Sequence, residues 1–180
     1  MRVITGTARG TKLLSPDGLD TRPTADKVKE ALFSIIQFYI PEAKVLDLFC
    51  GSGALGIEAL SRGAESCDFV DGSGKATGVT KKNLEKTHFL EKATVYVKDF
   101  SDFIKSATAQ YDVIFLDPPY KRGLCEAAGR YIKERSLLSD GGIVICEVSE
   151  DERPGLPFTL IREAKYGKTK IFIFKRDDSI

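Results

Sequence analysis

The chain has 180 residues, of which 42% are hydrophobic and 29% are charged, and its net charge is +1. These values are typical of one globular domain with a buried core, and they exclude a chain-wide basic surface for nucleic acid. No apolar run approaches a membrane span, residues 1–6 do not resemble a signal peptide, and the cysteines lack metal-ligand spacing. We therefore expect a single cytoplasmic domain over residues 1–180, without a membrane or metal site and with reduced, buried thiols at Cys50, Cys67, Cys125 and Cys146.

The first residues have the pattern of a short β-hairpin. Two β-type segments, 2–5 and 11–14, flank a turn that contains Gly6 and Gly10. Three cations precede the first acidic residue of the chain: Arg2, Arg9 and Lys12. A solvated hairpin and an arm that contacts RNA phosphates both fit this pattern.

A helix is predicted from Thr24 to about Tyr39, where Pro41 ends it. Thr24 has the residue type of an N-cap, and Asp26 in the first turn is favoured by the helix dipole. Arg22 stands beside the free N–H groups of this helix start, which together would form an anion site. A purely structural cap and a site for a phosphate or ligand carboxylate both remain open.

From residue 44 onward, predicted strands alternate with predicted helices. The strands are 45–48, 67–71, 94–99, 111–116 and 142–147, and the helices run to about 62 and over 75–87, 100–107 and 126–135. This alternation predicts a parallel sheet with helices on both faces. Strands 158–162 and 170–175 are too close for a helical crossover, so they are antiparallel. The predicted fold is thus a mainly parallel seven-stranded α/β sheet that ends in an antiparallel hairpin.

The segment from Gly51 to Gly56 matches the pattern G-x-G-x-x-G, and Asp71 follows 20 residues after its first glycine. This spacing is the dinucleotide fingerprint, in which a pyrophosphate approaches the glycine turn. Asp47 at the end of the preceding strand would repel a pyrophosphate, but it suits the ammonium and sulfonium charges of S-adenosyl-L-methionine (SAM). Gly51 and Gly53 would let the methionine part approach the backbone. The predicted cofactor is SAM, with S-adenosyl-L-homocysteine as its product.

Four successive predicted strands end in an acid: Asp47, Asp71, Asp99 and Asp117. The carboxyl ends of parallel strands share one edge of the sheet, where open α/β sheets bind ligands. Asp71 is expected to accept hydrogen bonds from the ribose hydroxyls, and Asp99 from the adenine amino group. The predicted cofactor-binding set also includes Phe49, Gly72 and Phe100, the last beside the adenine ring.

The apolar run 113–116 leads into Asp117-Pro118-Pro119-Tyr120. The prolines cannot continue a strand ladder, so they hold the Asp117 carboxylate and the Pro118 carbonyl at a fixed angle. Two such acceptors suit an exocyclic amine, and Tyr120 offers a face on which a flipped base would stack. For the first three residues, a proline turn with a solvated aspartate is an equally good interpretation.

The chain resembles, over nearly its whole length, the RsmD family of bacterial enzymes that methylate the 2-amino group of a guanine in small-subunit ribosomal RNA. The motifs that carry the resemblance are Arg2-Val3-Ile4-Thr5-Gly6, Thr21-Arg22-Pro23-Thr24, the segment from Asp47 to Gly56, and Asp117-Pro118-Pro119-Tyr120.

The resemblance implies a Rossmann-like SAM-dependent methyltransferase, with an RNA-contacting β-arm over 1–24 and a catalytic core over 25–180. The implied catalytic residues are Asp117, Pro118, Pro119 and Tyr120. The implied RNA-binding residues are Arg2, Arg9, Lys12, Arg22 and Thr24. The implied partner is ribosomal RNA in a partly assembled small subunit, bound by a monomer.

Three other functions remain open. An amino-methyltransferase could act on adenine or on a protein amide, although the chain shows no separate domain for recognising a DNA sequence. A NAD(P)-dependent oxidoreductase is disfavoured by Asp47 and by the final hairpin. A non-catalytic RNA-binding assembly factor is disfavoured by the intact motif at 117–120.

Overall fold

The computed structural model describes residues 1–16, 23–119 and 123–177. Five α-helices lie within these ranges: α1 (Pro23–Ile35), α2 (Ala54–Ser61), α3 (Gly74–Thr87), α4 (Phe100–Ser106) and α5 (Leu124–Glu134). The strands are β1 (Lys44–Asp47), β2 (Ser66–Asp71), β3 (Ala93–Val97), β4 (Tyr111–Leu116), β5 (Leu138–Ser149), β6 (Thr159–Tyr166) and β7 (Thr169–Lys175). Short 3₁₀ turns occupy Gln37–Tyr39 and Leu90–Lys92.

The seven strands form one sheet in the order β3-β2-β1-β4-β5-β7-β6. Strands β1 to β5 run parallel to one another, whereas β7 runs antiparallel to both β5 and β6. The predicted mainly parallel sheet with a final antiparallel hairpin is therefore confirmed. In the described part of the chain, no helix is long and apolar enough to cross a membrane.

The sheet separates two apolar cores, and the central strand β4 contributes side chains to both. Val113 and Phe115 contribute to the core beneath α1, α2 and α3, and Ile114 and Leu116 to the core beneath α4 and α5. Burial on both sides explains why the sequence of β4 is continuously apolar rather than alternating. The ring centroids of Phe33 in α1 and Phe115 in β4 lie 5.7 Å apart, so α1 covers the face of β4 that carries Val113 and Phe115.

Several element boundaries differ from the sequence prediction. The helix α1 begins at Pro23, so Thr24 lies in its first turn and is not the N-cap; the fixed φ of proline suits the first helical position. The same helix ends at Ile35, before the 3₁₀ turn. Strand β5 begins at Leu138, four residues earlier than predicted, with an irregular register where it pairs with the start of β4.

The N-terminal hairpin packs against the core rather than standing free. Its two halves are joined where Val3 N–H donates to the Thr11 carbonyl at 3.0 Å, and Arg2 pairs with Lys12. Val3 and Leu13 are buried in the same core as α1, α2 and α3. The hairpin therefore forms an additional layer on this face of the sheet.

A buried charged group in α2 holds the hairpin in place. The carboxylate of Glu58, with no exposed surface, accepts hydrogen bonds from Ile4 N–H at 2.9 Å and Thr5 N–H at 3.1 Å. It is balanced by Lys29 Nζ at 3.2 Å and Arg62 Nε at 2.9 Å. Burial holds the pKa of Lys29 below its ordinary value, with Glu58 opposing that shift. The hairpin backbone thus supplies donors that a buried carboxylate requires.

Candidate active site

Four acidic residues lie at or just beyond the carboxyl ends of four neighbouring parallel strands. Asp47 ends β1, Asp71 ends β2, and Asp117 directly follows β4. Asp99 comes two residues after β3 ends at Val97. Because these strands are parallel and adjacent, the four residues lie along the same edge of the sheet.

The glycine turn between β1 and α2 has one open side. Gly51 and Gly53 have φ values of 54° and 80°, in the left-handed region that favours glycine. A Cβ on Gly53 would lie 2.9 Å from the Thr80 methyl, whereas a Cβ on Gly51 would have no neighbour within 4 Å. Packing therefore requires glycine at position 53, and the space beside Gly51 is free for a ligand.

Asp47 braces this turn from inside the protein. Its side chain is only 1% exposed, and its Oδ2 atom accepts the Gly56 N–H at 3.0 Å. Burial raises the pKa of Asp47 to about 7, and the nearby charge of Asp71 adds to the shift. Asp47 therefore contacts the glycine turn directly. Because its side chain is buried, Asp47 would act on a bound ligand through its charge.

Asp71 and Asp99 both bind backbone N–H groups. Asp71 accepts Gly51 N–H at 3.0 Å and Ser73 N–H at 2.9 Å through its two oxygens, so it connects the glycine turn to the loop after β2. Asp99 caps α4 and accepts the Ser101 hydroxyl at 2.6 Å; this bond lowers the pKa of Asp99. Each carboxylate keeps lone pairs for further donors, and a Cβ on Gly72 would also meet open space.

An aromatic cluster lies beside the loop that contains Asp99. The ring of Phe100 is 5.2 Å from that of Phe49 and 6.5 Å from that of Tyr131 in α5. The structure thus brings together the two predicted aromatic residues of the cofactor set. It adds Tyr131, whose position in α5 gave no local sequence signal for this contact.

The Asp117-Pro118-Pro119 segment leaves the sheet between β4 and α5. Asp117 is half-buried, Pro118 is buried and Pro119 is exposed, whereas the predicted stacking residue Tyr120 lies outside the described residues. Burial raises the pKa of Asp117 well above its ordinary range, and the charges of Glu147 and Asp47 add to this. A cleft adjoins the segment, lined among others by Pro118, Pro119, Leu124, Glu126 and Val148.

Glu147 is a further candidate site residue, which the sequence did not lead us to predict. It lies in β5, next to β4, and it is half-buried. Burial raises the pKa of Glu147, and its own charge raises that of Asp117. A signal was present in the sequence, because the predicted strand 142–147 also ends in an acid, the fifth in succession.

The predicted RNA-binding residues are only partly described. Arg2, Arg9 and Lys12 are exposed on the hairpin, and Arg2 Nε lies 3.9 Å from Asp26 Oδ2. Arg22 lies outside the described residues, and Thr24 is in the first turn of α1. Over 1–16, 23–119 and 123–177, no group of three or more potential ligands could hold a metal ion.

Comparison with known proteins assigns the chain to a family. The family model described as "Conserved hypothetical protein 95" matches residues 1–175. The Bacillus subtilis protein YlbH is 41% identical over 98% of this chain and 99% of its own. The Escherichia coli protein named ribosomal RNA small subunit methyltransferase D is 33% identical, over 98% of this chain and 90% of its own.

Solved structures show the same architecture. The Escherichia coli protein yhhF superposes with a TM-score of 0.89 at 34% identity, over 99% of both chains. SMU.776, solved with S-adenosyl-L-homocysteine, shares the fold with a TM-score of 0.71 at 20% identity, over 88% of this chain and 51% of its own. The family match over residues 1–175 and the relatives named ribosomal RNA small subunit methyltransferase D lead to one conclusion: this chain belongs to the RsmD family.

Proposed function

We propose that this protein transfers the methyl group of SAM to the exocyclic 2-amino group of a guanine in small-subunit ribosomal RNA. The observation that carries the proposal is the position of Asp117, half-buried at a strand end on the same sheet edge as the open glycine turn. The name of the 33% identical Escherichia coli relative supports a ribosomal RNA substrate. The choice of the guanine 2-amino group rests on the family resemblance of the sequence.

The residues around the glycine turn fit SAM. When bound, SAM supplies an electrophilic methyl group on a positively charged sulfur. The open side of Gly51 would admit its methionine part, and the buried charge of Asp47 would favour its positive groups. Asp71 and Asp99 would accept from its ribose and adenine, beside the Phe49 and Phe100 rings. A shared fold with a structure that holds S-adenosyl-L-homocysteine supports this assignment.

Asp117 and Pro118 would hold the amine that is methylated. The lone pair of an exocyclic amine is delocalised into the base, so the amine needs acceptors for its hydrogens and a fixed direction. The Asp117 carboxylate and the Pro118 carbonyl offer these acceptors, and the two prolines restrict their movement. Burial raises the pKa of Asp117 above its ordinary range, and a raised pKa favours the uptake of a proton by this carboxyl group. The predicted role of Tyr120 as a stacking face stays a prediction.

The N-terminal hairpin would bring RNA to this edge. Arg2, Arg9 and Lys12 are exposed on it, and each can neutralise a phosphate. We propose the same role for Arg22 and Thr24, with residues 1–24 acting as the RNA-contacting arm of a monomer. A partly assembled small subunit is the proposed substrate, and this would place the protein in the cytoplasm.

The substrate is tested by following labelled methyl groups. Tritiated SAM is incubated with the protein and with naked small-subunit RNA, small-subunit particles that lack the modification, or DNA. We expect the label to appear in RNA, with more in the particles than in naked RNA. We also expect the protein to bind SAM and NAD(P)H not to displace it. Label found only in DNA or protein, or binding of NAD(P)H in place of SAM, would overturn the proposal.

A further inference from the structure

Glu147 of β5 lies beside Asp117, the residue that directly follows β4. Phe115 of β4 is in register with Ile145 of β5, and Leu116 with Cys146, so the next pair in this register is Asp117 and Glu147. The charge of Glu147 is, after burial, the strongest influence that raises the pKa of Asp117. The two carboxyl groups are therefore close enough to interact electrostatically.

The alternation of side chains along the two strands directs Asp117 and Glu147 to the same face of the sheet. Phe115 and Ile145 contribute to the core beneath α1 and α2, and side chains two residues apart on a strand share a face. Asp117 and Glu147 continue these two rows at the carboxyl edge. Asp47, two residues after Val45 in the same core, faces the same side by the same alternation.

The fold gives neither carboxyl group a compensating partner among the described residues. No hydrogen bond or ion pair in the described stretches of chain reaches the side chain of Asp117 or of Glu147. Two half-buried acids side by side without a donor destabilise a fold, because each disfavours the ionisation of the other. A pair of this kind at a ligand-binding edge calls for donors that come from outside the protein.

We propose that Glu147 accepts the N1–H of the target guanine while Asp117 accepts its 2-amino group, so that the pair selects guanine. This inference rests on the proposed function. Guanine is the base that presents N1–H and an amino group as two adjacent donors on its Watson–Crick edge, the edge that enzymes read on a flipped base. Adenine and cytosine present an amino group beside a ring nitrogen that accepts, and that nitrogen would repel a second carboxylate.

Sites built to hydrogen-bond a substrate group reject analogues that lack it, because a buried polar group is then left unpaired. The pair can still accept both guanine donors if the two carboxyl groups share one proton, because each carboxyl group still offers an oxygen lone pair. Asp117 and Glu147 would then read two neighbouring atoms of one base. A single acid at this edge would recognise only that an amine is present.

The test compares Glu147→Gln and Glu147→Ala with Glu150→Gln, which neutralises an exposed acid paired with Lys165 beyond the end of β5. For Glu147→Ala, which removes the acceptor, we expect the single-turnover rate of guanine methylation to fall by about 10- to 200-fold, which corresponds to about 1–3 kcal/mol for one recognition contact. Glu147→Gln should lose less, because its amide oxygen can still accept the guanine N1–H. SAM affinity should stay unchanged. The melting temperature of Glu147→Gln should stay equal or rise, because a repulsion is removed.

A second arm uses small-subunit RNA assembled by ligation, in which 2-aminopurine replaces the guanine that the wild-type protein methylates. This base keeps the 2-amino group but has an acceptor at N1. The wild-type protein should prefer guanine, and Glu147→Gln should reduce or reverse that preference, since its amide can donate to N1. A merely structural role for Glu147 would not change this ratio.

The inference is wrong if both Glu147 variants methylate guanine at the wild-type rate. It is equally wrong if their loss of activity follows a loss of SAM affinity, because Glu147 would then serve the cofactor. These failures leave the proposed function standing, provided that the wild-type protein produces N2-methylguanosine. If the wild-type protein produces none, the proposed function and this inference are overturned together.

Discussion

The carboxyl group of Asp47 makes the stability of the ligand-free protein depend on pH. Its pKa is about 7 in the folded protein, against an ordinary value of 3.8. Between these values the folded state binds more protons than the unfolded state, so the free energy of unfolding falls as the pH rises from about 4 to about 7. Asp117 and Glu147 are shifted in the same direction, and they add to the same trend.

Asp47→Asn separates the contribution of Asp47 from that of the other acids. The asparagine oxygen can still accept the Gly56 N–H, and no charge has to be buried. We expect the free energy of unfolding at pH 8 to rise by up to about 4 kcal/mol, from about 1.4 kcal/mol per pKa unit, with little change at pH 4. Urea unfolding of both proteins at pH 4, 6 and 8 measures this. Asp140→Asn, at a side chain that is 87% exposed, is the control. Parallel pH profiles for the wild type and Asp47→Asn would contradict the account.

At the scale of single residues, the sequence indicated the acids but not their contacts. Asp47, Asp71, Asp99 and Asp117 were found because each closes an apolar segment. The sequence could not show that Asp47 is bonded to Gly56 or that Asp99 caps α4, since these contacts depend on the geometry of each turn. Glu147 also closes an apolar strand, but its place beside Asp117 depends on β5 being the neighbour of β4, which no local pattern shows.

At the scale of elements, the hairpin is held to the core by a close approach that only glycine permits. Gly6 has a φ of 92°, and a Cβ at this position would lie 1.8 Å from the carbonyl oxygen of Ser61 in α2. Gly10, in the same turn, has a similar φ of 84°, but a Cβ there would have no neighbour within 4 Å. The two glycines thus have similar backbone conformations, but only Gly6 is in a place where a side chain would collide with α2.

Gly6→Ala is expected to destabilise the protein more than Gly10→Ala. Gly10→Ala should cost about 1–2 kcal/mol for the left-handed backbone alone. Gly6→Ala adds the displacement of the hairpin from α2, which removes the N–H donors of Ile4 and Thr5 from buried Glu58, and we expect about 3 kcal/mol or more in total. The free energy of unfolding in urea measures both. Equal losses in the two variants would show that the hairpin does not depend on this contact.

The strands were predicted well because their apolar residues and the intervening helices are local features. The order βαβα determined a parallel sheet, and the short link before β7 determined an antiparallel end. The docking of the hairpin could not be predicted in this way. Ile4 and Thr5 bind Glu58, which lies 54 and 53 residues further along the chain, and no local pattern signals such a contact.

At the scale of the whole molecule, the charges are nearly balanced, so RNA binding has to depend on where the cations lie. The hairpin lies on the face of the sheet covered by α1, α2 and α3, and α5 lies on the opposite face. Exposed cations occur on both faces: Arg2, Arg9 and Lys12 on the hairpin, and Arg130, Lys133 and Arg135 on or beside α5. Only the first group belongs to the proposed RNA-contacting surface.

Replacing Arg2, Arg9 and Lys12 together by alanine should weaken RNA binding specifically. The slope of log affinity against log salt should decrease in magnitude by about 2, from about 0.7 for each of three lost phosphate contacts. The triple alanine variant of Arg130, Lys133 and Arg135 changes the net charge equally and should leave the slope unchanged. Filter binding of small-subunit RNA at several salt concentrations measures both. Equal effects of the two triple variants would mean that the hairpin has no special role.

The central claim is that the edge at Asp117 directs a methyl group to the 2-amino group of guanine. It is tested most directly by digesting small-subunit RNA after incubation with SAM and identifying the methylated nucleoside by mass spectrometry. We expect N2-methylguanosine with the wild-type protein and with the exposed-site control Asp140→Ala. With Asp117→Ala we expect none, although this variant should still bind SAM. A different methylated nucleoside, or undiminished N2-methylguanosine from Asp117→Ala, would contradict the account.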